Sequence, residues 1–69
     1  MSTFLTRLIE EKDQLDERID KLTQFQSSEA WEKIHVTQMT LLNIQVKAME
    51  TYSQVLAERL ALLTAEQPQ

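Results

Sequence analysis

Apolar side chains recur in steps of three and four residues along two long segments of this 69-residue chain. In the first segment the series consists of Leu5, Leu8, Leu15, Ile19 and Leu22. Lys12 occupies the one step that lacks an apolar side chain. This spacing aligns side chains on one face of an α-helix and is typical of helices that pack lengthwise on one another. It predicts a helix over about residues 3–25.

The second segment, about residues 37–63, carries two neighbouring stripes. The first stripe consists of Leu42, Gln45, Met49, Tyr52, Leu56, Arg59 and Leu63. The second stripe consists of Leu41, Ile44, Ala48, Val55 and Leu62. A helix with two apolar stripes and little charge contacts more than one partner. We expect the first helix to cover the first stripe and another copy of the chain to cover the second stripe, which is the predicted oligomer interface.

Residues 26–36 separate the two helices. Two serines before Glu29 indicate a loop that ends in a helix cap, and the next residues could form a short helix. Thr37 could cap the second helix, although the sequence leaves open whether the chain bends there or runs straight. Trp31 is expected either to plug this end of the hairpin or to contact another protein. We predict an all-α antiparallel two-helix hairpin, one domain over residues 1–64, with a disordered tail over 65–69.

The composition limits how such a small domain can be stabilised. A chain of this size usually needs disulfides, a metal or oligomerisation. It has no Cys, and its single histidine, His35, cannot form a metal site with histidine spacing. It also has no Gly, which disfavours tight β-hairpins. We therefore expect a homo-oligomeric helical bundle that binds no metal.

Charge and hydropathy exclude two broad classes of partner. The formal net charge is −4, from 7 basic and 11 acidic residues, whereas general DNA- or RNA-binding domains present a basic stripe. No apolar run approaches the roughly 20 residues that span a bilayer, and no signal peptide is evident. We expect no nucleic-acid partner, no membrane association and a cytoplasmic location.

No catalytic motif is present in the sequence. Nucleophile-elbow, P-loop and zinc-protease patterns are all missing, and no Cys–His pair exists. Glu10, Asp13 and Glu17 share one helix face, but no Glu-x-x-His partner accompanies them, so a solvated surface is expected. His35 is expected to be an ordinary loop residue. These patterns predict a protein that is not an enzyme and that has no catalytic residues and no cofactor.

Polar residues interrupt the predicted seam between the helices at Lys12, Gln45, Tyr52 and Arg59, with Arg7 one turn away. Polar residues at such positions often fix register or oligomeric state. Alternatively, they line a pocket between hairpins in which cations bind phosphate, Tyr52 stacks on a base and Gln45 supplies hydrogen bonds. Intramolecular carboxylates could also satisfy the cations. The candidate ligand-binding residues are Arg7, Lys12, Gln45, Tyr52 and Arg59.

Two runs of residues resemble a known family. The first joins Arg7-Leu8-Ile9-Glu10-Glu11 to Leu15-Asp16-Glu17-Arg18-Ile19-Asp20-Lys21-Leu22 and Phe25. The second is Leu41-Leu42 with Gln45, Met49, Tyr52, Leu56 and Arg59. Together they are similar to small helical-hairpin accessory proteins of tailed phages, over about residues 5–60.

The resemblance implies a small accessory protein made in the cytoplasm of an infected bacterium. By analogy, such proteins include sponges that sequester nucleotide second messengers of bacterial immunity, of the cyclic oligonucleotide or cyclic ADP-ribose type. Others bind and inhibit or adapt a host or phage protein. The sponge class fits the polar seam residues better, and it implies an oligomer that inhibits anti-phage defence.

Overall fold

A computed structural model describes residues 3–65 of the chain. Helix α1 comprises Thr3–Gln26, a 3-10 helix comprises Glu29–Lys33, and helix α2 comprises Val36–Ala65. Residues 3–65 contain no strand, and α1 packs against α2. The predicted all-α two-helix architecture is therefore confirmed.

The two helices run antiparallel along most of their length. Near the connection, the Gln26 amide donates a hydrogen bond of 2.8 Å to the Asn43 side-chain oxygen. At the opposite end, the Arg59 guanidinium lies 6.0 Å from the centre of the Phe4 ring. The described chain is therefore a rod, with extents of 52 × 16 × 15 Å.

The core between the helices is a single narrow seam. Leu8, Leu15 and Leu56 form its buried centre. Four half-buried residues pack against that centre: Ile19, Met49, Leu60 and Leu63. Leu56 is fully buried, and burying a leucine side chain contributes about 1.5–3 kcal/mol. Val46 is the only other buried residue among those described, so the isolated hairpin has a small core.

The face of α2 that meets α1 differs from the predicted first stripe. This core stripe, which holds the buried and half-buried positions, consists of Leu42, Val46, Met49, Ser53, Leu56, Leu60 and Leu63. Gln45, Tyr52 and Arg59 are exposed instead of lying in the seam. The predicted orientation of α2 differs from the observed one by a rotation of roughly 50° about the helix axis, which is half of the angle between successive residues. This rotation buries Val46, half-buries Leu60 and keeps the Gln45 amide and the Arg59 guanidinium in water, which costs less free energy than burying them.

The connection ends α1 with local hydrogen bonds. The backbone amide of Ser28 donates to the Phe25 carbonyl at 3.0 Å, and the Ser28 hydroxyl donates to the same oxygen at 2.6 Å. Ser28 therefore precedes the 3-10 helix without forming the expected side-chain cap. The Phe25 and Trp31 rings meet edge to face, 5.9 Å apart, which agrees with Trp31 as the plug of this end.

Helix α2 is capped by His35, not by Thr37. Ile34 has extended backbone angles, φ −87° and ψ 159°, so the chain bends before α2 begins. The Thr37 backbone amide donates to His35 Nδ1 at 3.0 Å, and the Met39 amide donates to the His35 carbonyl at 3.1 Å. These two bonds are the geometry of an N-cap residue. His35 thus has a structural role that its loop position did not suggest.

At its other end α2 continues to Ala65, the first residue of the predicted disordered tail. The rest of that tail, residues 66–69, lies outside the described residues. Within the described residues, no helix combines the length and the apolar character required to cross a membrane.

Replacing His35 tests the cap. His35→Ala removes the acceptor for the Thr37 amide, and we expect the free energy of unfolding to fall by about 0.5–2 kcal/mol. His35→Asn keeps an acceptor at the cap and is expected to retain most of this stability. Urea denaturation followed by circular dichroism measures both variants. Equal stability of wild type and His35→Ala would contradict the assignment.

Candidate ligand-binding face

All three arginines of the chain lie on one side of the hairpin. Arg7 and Arg18 are eleven residues apart, and three helical turns return to within about 20° of the same direction. Arg59 on α2 lies over Phe4, which is one turn from Arg7 on α1. We call this side the arginine face and define it by Arg7, Arg18, Gln45, Tyr52 and Arg59.

A shallow groove on the arginine face joins the two helices. It has a volume of about 360 Å³ and is lined by Arg18, Lys21, Leu22, Phe25, Gln45 and Met49. The Gln45 amide nitrogen has only a long contact, 3.9 Å, to the Met49 sulfur. The groove therefore combines an apolar floor with two cations and an amide that can form stronger hydrogen bonds with a ligand.

Arg18 is not among the ligand-binding residues predicted from the sequence, although it belongs to the run that resembles the phage family. The available signal was its spacing of three full turns from Arg7. The spacing alone does not show that Arg18 lines a groove. That conclusion also requires the orientation of α2, because Gln45 lines the same groove from the opposite helix.

The arginines and lysines of the chain differ in their partners. No arginine forms an ion pair with a carboxylate anywhere in residues 3–65. In contrast, Lys12, Lys21 and Lys47 pair with Asp16, Glu17 and Glu50 respectively. Guanidinium groups match phosphate or carboxylate in a two-point geometry. The unpaired arginines therefore leave the positive charge of this face available to an anion.

Lys12 is held inside the hairpin by a polar network. Its ammonium donates to one Asp16 carboxylate oxygen at 2.6 Å and to the Ser53 hydroxyl at 3.3 Å. The Ser53 hydroxyl donates in turn to the other Asp16 oxygen. An intramolecular carboxylate thus satisfies this predicted ligand cation, which favours the structural interpretation for Lys12. Its role in ligand binding stays a prediction.

The network also changes the acidity of Asp16. Its pKa is lowered from the ordinary value of 3.8, chiefly by the hydrogen bond from Lys12 and then by the one from Ser53. Burial acts in the opposite direction, and the positive charge of Lys12 lowers the pKa further. The carboxylate is therefore better stabilised in the folded hairpin than in the unfolded chain.

Tyr52 and Arg59 lie at the edge of the second stripe. The large side chains of that stripe (Leu41, Ile44, Val55 and Leu62) are 49–63% exposed, and Ala48 is exposed as well. Tyr52 is 45% exposed, and along the helix axis it lies between Ala48 and Val55. Arg59 and Leu62 line one shallow depression together with Thr51, Gln54, Val55 and Glu58. An aromatic ring and a cation therefore border a long apolar surface.

The remaining predicted ligand residue, Arg7, lies farther from the groove. It lines a separate depression with Thr3, Thr6 and Glu10. The single chain thus brings Gln45 together with Arg18, brings Tyr52 and Arg59 to the second stripe, and leaves Arg7 and Lys12 apart from both groups. Among the described residues, no group of three or more His, Asp or Glu side chains could hold a metal ion.

The polar network predicts a specific loss of stability in acid. Since the pKa of Asp16 is lowered on folding, its stabilising effect is complete above pH 3.8 and is lost as the pH falls below that value. The Asp16 side chain is 45% exposed, so solvent screening keeps the effect small. We expect wild type to exceed Asp16→Asn in urea midpoint at pH 7 and this difference to shrink at pH 3.

Asp13→Asn is the matched control, because Asp13 lies exposed on the same helix and makes no ion pair with any described residue. The difference in urea midpoint between Asp13→Asn and wild type should not shrink in this way between pH 7 and pH 3. A difference for Asp16→Asn that is constant from pH 7 to pH 3 would rule out the network as its cause.

Comparison with known proteins places the chain in a family. No curated protein and no solved structure matches it. A family model, described as Sequestin, matches residues 2–62. The match includes α1, the 3-10 helix and most of α2, and it covers the arginine face and the second stripe. The chain therefore belongs to the Sequestin family.

Proposed function

We propose that this protein is a non-catalytic sponge that sequesters a nucleotide signal of bacterial immunity, of the cyclic oligonucleotide or cyclic ADP-ribose type. The observation that carries the proposal is the arginine face, where three arginines accompany an exposed tyrosine and pair with no carboxylate of residues 3–65. The family name, Sequestin, suggests a binding protein that sequesters some molecule. A phage origin, action in the cytoplasm of an infected bacterium and inhibition of anti-phage defence belong to the same proposal.

The charges of the arginine face favour a ligand with phosphate groups. The chain is acidic overall, so a general attraction for polyanions is weak. Binding must instead come from local contacts, and guanidinium groups donate two parallel hydrogen bonds to a phosphate. Arg7, Arg18 and Arg59 supply these contacts. Lys12 contributes least, because Asp16 already neutralises its charge.

The uncharged residues of the face fit the remaining parts of a nucleotide. Tyr52 offers a half-exposed ring on which a base can stack. Gln45 offers an amide that can both donate to and accept from the edge of a base or a ribose hydroxyl.

The proposal includes assembly of the chain into a homo-oligomer. The isolated hairpin buries only four residues among those described, and the second stripe leaves four large apolar side chains about half exposed or more. Covering that stripe with another copy would add the missing core. Tyr52 and Arg59 border the stripe, so the ligand would bind next to the contact between copies.

Two substitutions test the ligand-binding role. We expect Arg59→Gln and Tyr52→Ala each to weaken nucleotide binding by roughly 10–100-fold, because each removes a contact worth about 1.5–3 kcal/mol. Native mass spectrometry and calorimetry with cyclic di-AMP, cyclic tri-AMP and cyclic ADP-ribose measure subunit number and affinity together. Lys33→Gln is the control, since it removes one exposed positive charge at the far end of the hairpin.

The oligomeric state of each variant decides how a loss of binding is interpreted. An intact oligomer that no longer binds nucleotide supports a contact role for the residue. If Arg59→Gln and Tyr52→Ala dissolve the oligomer instead, the two residues are structural. A wild-type oligomer that binds none of the three compounds would contradict the sponge proposal for these ligand classes.

The second stripe favours one other candidate function, a helical interaction protein that inhibits or adapts a host or phage protein. A long exposed apolar stripe is the surface that helix-in-groove recognition uses. This function predicts that the purified protein stays monomeric and binds an apolar fluorescent dye. Val55→Glu should then abolish both dye binding and capture of the partner. A closed oligomer that binds no dye would contradict this function.

A further inference from the structure

We propose that α2 pairs antiparallel with α2 of a second copy along the second stripe, and that each ligand site is completed by Arg18 of one copy and Arg59 of the other. The axis of this pairing passes between Thr51 and Tyr52. The composite site rests on the proposed function, whereas the pairing of the helices can be tested without any ligand.

The spacing of the exposed residues on α2 is symmetric about that axis. Leu41 lies as far before the midpoint between Thr51 and Tyr52 as Leu62 lies after it. Ile44 and Arg59 form a second such pair, and Ala48 and Val55 form a third. A two-fold contact requires one surface to complement itself, with residue i against residue j and j against i. An antiparallel second copy meets this requirement at every level of the stripe.

Charges at the edge of the second stripe favour the antiparallel direction. Lys47 and Glu58 are eleven residues apart, so they lie on the same edge of α2. A parallel copy would set each of these residues beside its own counterpart, with like charges together. In an antiparallel pair, Glu58 of one copy lies opposite Gln45 of the other copy. Lys47 is only two residues from Gln45, about 3 Å along the helix axis. Glu58 makes no ion pair within residues 3–65, so it is available for this contact, which Lys47 would share with its own Glu50 at 3.7 Å.

The surface that such a pairing covers is large enough for a specific interface. The stripe from Leu41 to Leu62 is about 32 Å long at the standard helical rise. The hairpin is 16 Å wide, so a second copy laid along it covers roughly 500 Å² of each partner, close to the lower limit of about 1,000 Å² in total for stable dimers. The apolar stem of Arg59 can pack on Ile44 of the other copy while its guanidinium stays in water.

The same pairing builds a site that a single chain lacks. Arg18 and Gln45 line one groove. Ile44, the neighbour of Gln45 in sequence, lies opposite Arg59 of the second copy in the proposed register. Arg18 of one copy and Arg59 of the other therefore lie at the same height along the paired helices. Tyr52 lies two helical turns from Gln45 on the same face of α2. Two guanidinium groups so placed can hold phosphates of one ligand while its base stacks on Tyr52.

Engineered cysteines test the direction of pairing. The sequence has no cysteine, so any disulfide is unambiguous. Positions 48 and 55 lie about 10 Å apart along one helix, too far for a disulfide within the chain. We expect Ala48→Cys mixed with Val55→Cys to give a disulfide-linked dimer under mild oxidation, and neither variant alone to do so. Dimers of Ala48→Cys alone would indicate parallel pairing and overturn the proposal, as would the absence of any crosslink.

Mixing two binding-deficient variants tests the composite site. Arg18→Gln and Arg59→Gln should each bind cyclic di-AMP, cyclic tri-AMP or cyclic ADP-ribose at least tenfold more weakly than wild type, while remaining dimers. In a mixed dimer, one of the two sites regains both arginines, so we expect the mixture to recover about a quarter of the wild-type binding capacity. Native mass spectrometry counts the ligands bound.

The outcomes separate this inference from the proposed function. Recovery of binding in the mixture supports a site shared between copies. Full binding by Arg18→Gln, or no recovery in a mixture shown to contain mixed dimers, overturns the composite site even if the wild type binds nucleotide. If wild type binds none of the compounds but the cysteines crosslink as expected, the proposed function and the composite site are wrong and the antiparallel pairing stands.

Discussion

The structure depends on one apolar seam, in which Leu8 and Leu15 of α1 enclose Leu56 of α2. No disulfide and, among the described residues, no candidate metal site supports the fold, so this seam fixes both the antiparallel direction and the rotation of each helix. The rotation then determines which residues are exposed. On α2, the exposure of Gln45, Tyr52 and Arg59 follows from the choice of Val46 and Leu60 as the residues that face α1.

Polar groups near the seam divide into two kinds. Lys12, Asp16 and Ser53 satisfy one another, so they can sit at the edge of an apolar core with little loss of stability. Arg18 and Arg59 remain without carboxylate partners among the described residues and are kept at the surface. The first group links the two helices by hydrogen bonds, and the second leaves positive charge available to another molecule. This division is the physical basis of the proposed sequestering function.

Helix α2 is apolar on two sides. Its core stripe packs on α1, while Leu41, Ile44 and Leu62 remain exposed on the second stripe. A small hairpin that buries so few residues gains most from a partner that covers this stripe. Binding of a ligand beside such a contact would also stabilise the assembly, because a molecule held by two copies favours the associated state.

The sequence by itself determined the helices, the hairpin and the second stripe, because a three–four spacing of apolar residues allows few alternatives to paired helices. It did not determine which polar residues point inward. Because α2 has two adjacent stripes, its sequence is compatible with two orientations that differ by about 50° about the helix axis. In one orientation Gln45 and Arg59 face α1, and in the other Val46 and Leu60 do. It also could not assign the cap to His35 or the groove to Arg18. Those roles depend on contacts between segments distant in sequence or on the bend between helices, which only the tertiary structure decided.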